Sequence, residues 1–405
     1  MRALLSTIGS RGDVQPLAAL GAVLRARGHR VRLCVPPDFR EWLEGMGFEV
    51  VGLGPSVRAT GKAPAQVGVP TAEQRRAMIA ATVGMQFRTV GEAADGCDAI
   101  VAATALQVAA PSVAEVRGIP HVFAAYCPAV LPSERHAPPV LGMLGDTPAT
   151  TEDDFRARWE EDARRWNEDW GEAIATQRAS LGLAAVDDVR GHVLTDRPWL
   201  AADAALAPWP QPSALAVVQT GAWVLPDARP LDDALAAFLD RGEPPVYFGF
   251  GSMRATDELA ATMLASARAV GRRAIVSRGW AELAVGDGAD DCLVIGEVNQ
   301  SRLFPRVAAV VHHGGAGTTT AAAQAGAPQV VIPQMYDQHY WAGRVAALAV
   351  GAAHAPGSPT VESLTAALET ALTPDVAVQA GALAAQVRAD GADVAVDRLE
   401  RLVGR

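Results

Sequence analysis

Lysine is almost missing from this sequence: among 35 basic residues, Lys62 is the only lysine. Lys62 is followed by Ala63, so the Gly-Lys-Ser/Thr core of a P-loop is excluded. Basic charge is also outweighed: 45 acidic residues leave a formal net charge of -10. No run of Arg offsets this, and nucleic acid is a poor partner because binding its phosphates needs a concentrated basic surface. Cysteine is scarce. Cys34, Cys97, Cys127 and Cys292 show no paired spacing, so neither a zinc site nor a disulfide framework is expected. No apolar run reaches the roughly 18 residues that span a bilayer. No basic-then-apolar leader precedes the first strand-like run, and a cytoplasmic location is expected.

Half of the 405 residues are hydrophobic and a fifth are charged. A chain this long suits two cores better than one. The first half opens with a buried run over residues 2–8, followed by Gly9-Ser10-Arg11-Gly12-Asp13. Leu17, Leu20, Val23 and Leu24 then recur at helical spacing. Further strands are predicted over 30–35, 98–102 and 121–125. The second half repeats this grammar, with strands over 246–250, 274–277, 292–295, 307–311 and 329–332. Strand and helix alternating in this way predict two doubly wound parallel sheets. Prolines and glycines break the pattern between the halves. The expected division is an N-terminal domain over 1–212, a linker over 213–235, a C-terminal domain over 236–385 and a final helix over 386–405. A second Pro-rich stretch, 128–150, reads as a long loop. Trp159, Trp166 and Trp170 sit on a polar helix pattern and read either as packing or as an aromatic lip for a flat ligand.

The strongest local signal is His312-His313-Gly314-Gly315-Ala316-Gly317-Thr318-Thr319, between a strand and a helix. Glycines bring backbone close to a ligand, and the unpaired N–H groups that open a helix favour an anion such as a diphosphate. A histidine in the same turn can donate to a phosphate oxygen. The run is not a dinucleotide fingerprint, and the first turn lacks the third glycine of one. Pro333-Gln334-Met335-Tyr336-Asp337-Gln338 follows the next strand. Asp337 reads there either as a helix cap or as a carboxylate for sugar hydroxyls. Asp13, in the first Gly-rich turn, reads either as a cap or as a general base.

Taken with Met85-Gln86-Phe87, Gln219-Thr220-Gly221-Ala222-Trp223, Ser277-Arg278-Gly279-Trp280, Gly296-Glu297-Val298-Asn299 and Ala342-Gly343-Arg344-Val345, these motifs cover nearly the whole chain. In that order, they resemble the actinobacterial antibiotic glycosyltransferases of the vancomycin group, within the UDP-glycosyltransferase superfamily. The resemblance implies a GT-B fold, an α/β architecture of two Rossmann-like domains facing across a cleft. The N-terminal domain would hold the acceptor and the C-terminal domain the nucleotide sugar, with the last helix crossing back.

Site residues follow from the matching positions. Asp13 would be the base, with Ser10 and Gly12 beside it at the diphosphate. Ser252, His313, Gly315, Ala316, Gly317 and Thr318 would hold the diphosphate. Asp337 and Gln338 would hold the donor sugar, and Arg278, Trp280 and Val298 the nucleobase and ribose. The implied reaction is inverting transfer from a UDP- or dTDP-sugar to a hydroxyl of a small aglycone of glycopeptide, polyketide or macrolide type. No Asp-x-Asp triplet is present, so no metal and no cofactor beyond the donor substrate are expected. A monomer or homodimer, without nucleic acid, completes the expectation. An NAD-dependent oxidoreductase and a GT-B-shaped nucleotide-sugar epimerase are the alternatives.

Overall fold

The computed structural model describes residues 1–58, 71–140, 154–211, 213–251, 257–278 and 289–404. Two parallel sheets organise them. The first runs in the order β3-β2-β1-β4-β5-β6-β7. Its strands are β1 Arg2–Thr7, β2 Arg30–Val35, β3 Glu49–Gly52, β4 Ala99–Ala103, β5 His121–Ala125, β6 Trp199–Leu200 and β7 Val218–Gln219. The second runs β10-β9-β8-β11-β12-β13. Its strands are β8 Val246–Gly249, β9 Ala274–Ser277, β10 Cys292–Ile295, β11 Ala309–His312, β12 Gln329–Val331 and β13 Gly351–Ala353. Every pairing in both sheets is parallel.

Parallel strands buried on both faces need apolar runs rather than alternation. Ala99 to Ala103 and Val246 to Gly249 are buried at every position. Helices cover the faces, and five matter below: α1 Arg11–Ala26, α2 Phe155–Ser180, α3 Ala316–Gln324, α4 Gln338–Ala347 and α5 Gly391–Val403. Strands β3, β6, β7 and β13 escaped the sequence reading. All four have four residues or fewer, too short to show a pattern, and β7 falls inside the stretch read as linker.

Strand order reverses between β1 and β4 in one sheet and between β8 and β11 in the other. In an open parallel sheet, ligands bind at the carboxyl ends of the strands flanking such a reversal. The turn after β1 carries Asp13, and the turn after β11 carries His313. The fold therefore places the two Gly-rich turns at its two switch points.

The final helix, α5, lies on α1 of the N-terminal domain. Its apolar stripe of Ala392, Ala395, Val396 and Leu399 joins the core formed by Val14, Leu17, Leu20 and Leu24. Its acidic face, Asp393, Asp397 and Glu400, surrounds the Arg27 guanidinium. Glu400 also bonds His29 Nε2 at 2.8 Å. Burial and not charge anchors this crossing, because Leu399 is fully buried whereas Arg27 is solvated. Leu399→Ala should destabilise the protein by about 2–5 kcal/mol. Arg27→Ala should shift the urea midpoint far less. Equal shifts for the two variants would show that the ion cluster holds the helix.

Candidate functional site

The turn after β1 is built around Asp13. Ser10 caps α1, its hydroxyl accepting the Gly12 N–H at 3.3 Å, and its own N–H donates to Asp13 Oδ2 at 2.6 Å. This reciprocal capping box fixes the carboxylate rather than freeing it. Gly9 is obligatory here. Its φ is +149°, and a Cβ on it would lie 2.1 Å from Asp13 Oδ2. Tyr126 supports the same turn, its hydroxyl donating to the Asp13 carbonyl at 3.1 Å. Burial pushes the Asp13 carboxyl up to about 6, against the downward pull of its hydrogen bonds from Ser10. Ser10, expected beside the diphosphate, is engaged within its own turn.

The turn after β11 divides its two histidines between support and access. His312 is fully buried. Its Nδ1 accepts the Gly314 N–H at 3.1 Å, which leaves Nε2 to donate to Gln329 Oε1 at 2.9 Å. Burial, aided by the neighbouring His313, holds it down at about 3, so it stays neutral. His313 is partly open. Its ring lies between two glycines: a Cβ at Gly251 would come within 3.1 Å of Cε1, and one at Gly315 within 2.6 Å of Nε2. Burial lowers it to about 4, with the Gly249 carbonyl working in the other direction. Its Nδ1 is buried without a hydrogen-bond partner among the described residues.

Helix α3 begins immediately beyond. Its N-cap, Gly315, brings no side-chain hydrogen bond. The N–H groups of Ala316, Gly317 and Thr318 therefore open the helix without a side-chain cap, whereas α1 is closed by its own serine.

Asp337 occupies the N-cap of α4, but its side chain makes no capping bond. It accepts instead from the Trp341 indole Nε1 at 3.1 Å, and Trp341 is fully buried. The cap interpretation of Asp337 is thus set aside by geometry. Burial raises its carboxyl to about 7, the indole bond opposes that, and the Asp13 charge adds to it. The two carboxylates, one from each domain, lie close enough to feel each other. Gln338 is buried and turns its Oε1 back to the N–H groups of Gln334 (2.8 Å) and Met335 (3.2 Å). It holds the loop that carries Asp337.

The remaining expected residues are more dispersed. Arg278 is exposed at the end of β9, its N–H donating to the Ile295 carbonyl at 2.9 Å. Val298 is half-buried against the core beneath β10. Gly12 is exposed in the first turn of α1. Ser252 and Trp280 lie outside the described residues. Among the described residues, no three His, Cys, Asp or Glu side chains come together as a metal site would need.

Three features of the cleft were not foreseen. Arg11 bridges the domains, pairing with Glu297 at 3.3 Å while its guanidinium covers the Trp42 ring at 3.9 Å. Tyr336 links the two halves through its backbone. His136, in the Pro-rich loop, is packed at ring distances of 6.2, 5.8 and 6.1 Å from Trp159, Trp209 and Tyr340. Its Nε2 bonds the Leu131 carbonyl at 3.0 Å, and burial lowers its basicity. Trp159 donates to the His136 carbonyl at 2.8 Å, so packing is the right reading for that tryptophan. Only the Gly-Ser-Arg-Gly-Asp context signalled Arg11, and nothing in the sequence signalled the other two.

Both halves of the chain match known proteins. Residues 3–133 match the glycosyltransferase family 28 N-terminal domain. Residues 284–395 match the erythromycin biosynthesis protein CIII-like C-terminal domain. Glycosyltransferase GtfE of Amycolatopsis orientalis is 50% identical, over 100% of this chain and 98% of that protein. The vancomycin aglycone glucosyltransferase of the same organism is 49% identical over the same shares. Its dTDP-epi-vancosaminyltransferase is 42% identical over 94% and 92%. Among solved structures, the kitacinnamycin glycosyltransferase superposes with a TM-score of 0.73 at 20% identity, covering 99% of each chain. That likeness shows the GT-B fold.

His312 is the internal support of this turn. His312→Leu leaves the buried Gly314 N–H unpaired, which costs about 1–3 kcal/mol. Thermal and urea unfolding of that variant should show the loss. An unchanged midpoint would mean the turn holds itself without the imidazole.

Proposed function

Because the chain belongs to the vancomycin-group glycosyltransferases, we propose that it moves a hexose from a UDP- or dTDP-sugar onto a hydroxyl of a glycopeptide-type aglycone, with inversion and without a metal. The observation that carries this reading is that Asp13 and Asp337 are carboxylates at strand carboxyl ends of the two sheets, where burial, with the Asp13 charge adding to it, raises the Asp337 carboxyl. An acceptor base and a donor-sugar ligand must converge on one anomeric carbon, and one carboxylate from each half supports that assignment.

Asp13 removes the acceptor proton as the hydroxyl attacks. Ser10 and Gly9 keep the carboxylate oriented, which is the precondition for a general base. The leaving diphosphate gains charge against the N–H groups of Ala316, Gly317 and Thr318, and Ser252 and Gly315 are assigned to the same group by the family motif. Fixed dipoles of this kind stabilise the transition state without reorganising. His313 is neutral near pH 7 and offers one N–H to the phosphates, so it adds a hydrogen bond without a buried charge. Asp337 accepts from sugar hydroxyls while Gln338 holds its loop. Arg278, Trp280 and Val298 border the nucleoside. The chain acts in the cytoplasm, in keeping with a described structure in which no helix is long and apolar enough to cross a membrane.

Asp13→Asn should lower turnover by roughly 10²–10⁴-fold, the span for losing a positioned base. UDP affinity should stay within about twofold, since the nucleotide meets the other domain. The sign of the pH effect follows from the raised carboxyl. Below about pH 6 Asp13 is protonated and cannot accept a proton, so kcat/KM of the parent rises with pH through that region. The Asn variant should lose this limb, and excess EDTA should leave the parent rate unchanged. Turnover within about threefold of the parent, with the limb intact, would remove Asp13 from the mechanism.

A further inference from the structure

The loop carrying Asp337 is a closed hook with an unusual tip. Gln338 Oε1 ties the N–H groups of Gln334 and Met335 at its base. At the tip, Tyr336 has φ +55°, a left-handed conformation that a bulky side chain adopts only when its surroundings impose it. The surroundings come from the other domain. Val140, in the Pro-rich loop of the N-terminal half, forms an antiparallel bridge with Tyr336. Tyr336 N–H donates to the Val140 carbonyl at 2.8 Å, and Val140 N–H donates to the Tyr336 carbonyl at 3.4 Å.

Two more contacts join α4 to the N-terminal half. Tyr340, on α4, meets His136 at 6.1 Å between ring centres, and Arg344 Nε donates to the Leu206 carbonyl at 3.0 Å. Tyr336 is half-buried, and burial first, then the charges of Asp337 and Asp13, hold its phenol well above the usual range. The next residue along the chain is Asp337, anchored on its far side by the buried Trp341.

We propose that Tyr336 is a positioning residue: the Val140 bridge from the acceptor-side loop holds its backbone left-handed, and that conformation aims Asp337 at the donor sugar. The inference rests on the assignment of Asp337 to the sugar. Its consequence is that the donor-sugar site is complete only while the two domains are clasped. Two domains joined by a linker move relative to each other unless a large interface prevents it. Opening the cleft breaks the bridge, lets Tyr336 relax to an ordinary conformation and rotates Asp337 away. The sugar is thus gripped when the acceptor loop is in place.

Backbone variants separate this from a role for the phenol. Tyr336→Pro cannot adopt a positive φ and has no N–H to donate. Tyr336→Gly keeps the N–H and tolerates φ +55°. Val140→Pro removes one of the two bridge bonds from the opposite domain. With UDP-glucose and dTDP-glucose as probes, whichever the parent turns over, Tyr336→Pro should raise the donor KM at least tenfold. Tyr336→Gly should stay within about threefold, and Val140→Pro should fall between them. The Kd for bare UDP or dTDP should stay within twofold in all three, which also reports folding.

If Tyr336→Gly is as impaired as Tyr336→Pro, the phenol and not the backbone matters, and the proposal falls. A parent-like Val140→Pro beside an impaired Tyr336→Pro would overturn the cross-domain part. If Tyr336→Pro does not fold, the Tyr336→Gly and Val140→Pro pair decides by the same criteria. Asp337→Ala, run alongside, keeps the two readings apart. If it leaves the donor KM unchanged, the sugar assignment of Asp337 fails and the clasp loses its object. If it raises KM while Tyr336→Pro does not, only the clasp fails.

Discussion

The 2.6 Å hydrogen bond from the Ser10 N–H to Asp13 Oδ2 joins the end of the first strand to the start of the first helix. The rest of the cleft is arranged around what that bond does. It fixes one carboxylate oxygen in a turn where Gly9 leaves room and Tyr126 supports the backbone. Burial then makes the carboxylate a stronger base than one in water, because the charged form has lost hydration that few hydrogen bonds replace. The sequence offers a choice between cap and base for Asp13; the structure shows the capping box, and in the proposed mechanism the same bond orients the base.

The two switch points use opposite solutions to one problem. A helix that starts at the carboxyl edge of a parallel sheet leaves its first N–H groups without partners. Helix α1 meets that need internally through Ser10 and Asp13. Helix α3 has only Gly315 before it and no side-chain cap. One turn is thereby prepared to hold a carboxylate of the protein, and the other to receive an anion from outside. His312 makes the second turn rigid from below, bonded to Gly314 and Gln329, and His313 faces the opening. Burial separates the two adjacent histidines into a strut and a partly open ring.

Much of the fold was legible because buried parallel strands are written as short apolar runs. The runs over 30–35, 121–125, 274–277 and 292–295 coincide with β2, β5, β9 and β10. The short strands β6 and β7 were not legible, since two residues carry no periodicity. The turns bearing Asp13, His313 and Asp337 were legible from glycines and polar residues at strand ends. What those side chains bond to was not. The sequence suggests a helix cap for Asp337, yet the partner is an indole one turn along. The left-handed Tyr336 and the Arg11–Glu297 pair depend on how two domains meet, and no local pattern encodes that. His136 is an aromatic packing element, because its surroundings come from Trp159, Trp209 and Tyr340.

The central claim is that an acceptor hydroxyl, deprotonated by Asp13, displaces the nucleoside diphosphate directly. A single displacement inverts the anomeric centre, whereas a covalent intermediate on a carboxylate such as Asp337 would retain it. The most direct measurement is the anomeric configuration of the glycoside formed from an α-linked donor, read from the proton coupling constant by NMR. A β-glycoside is the predicted product. An α-glycoside would contradict the account and would require a nucleophile where a base has been assigned.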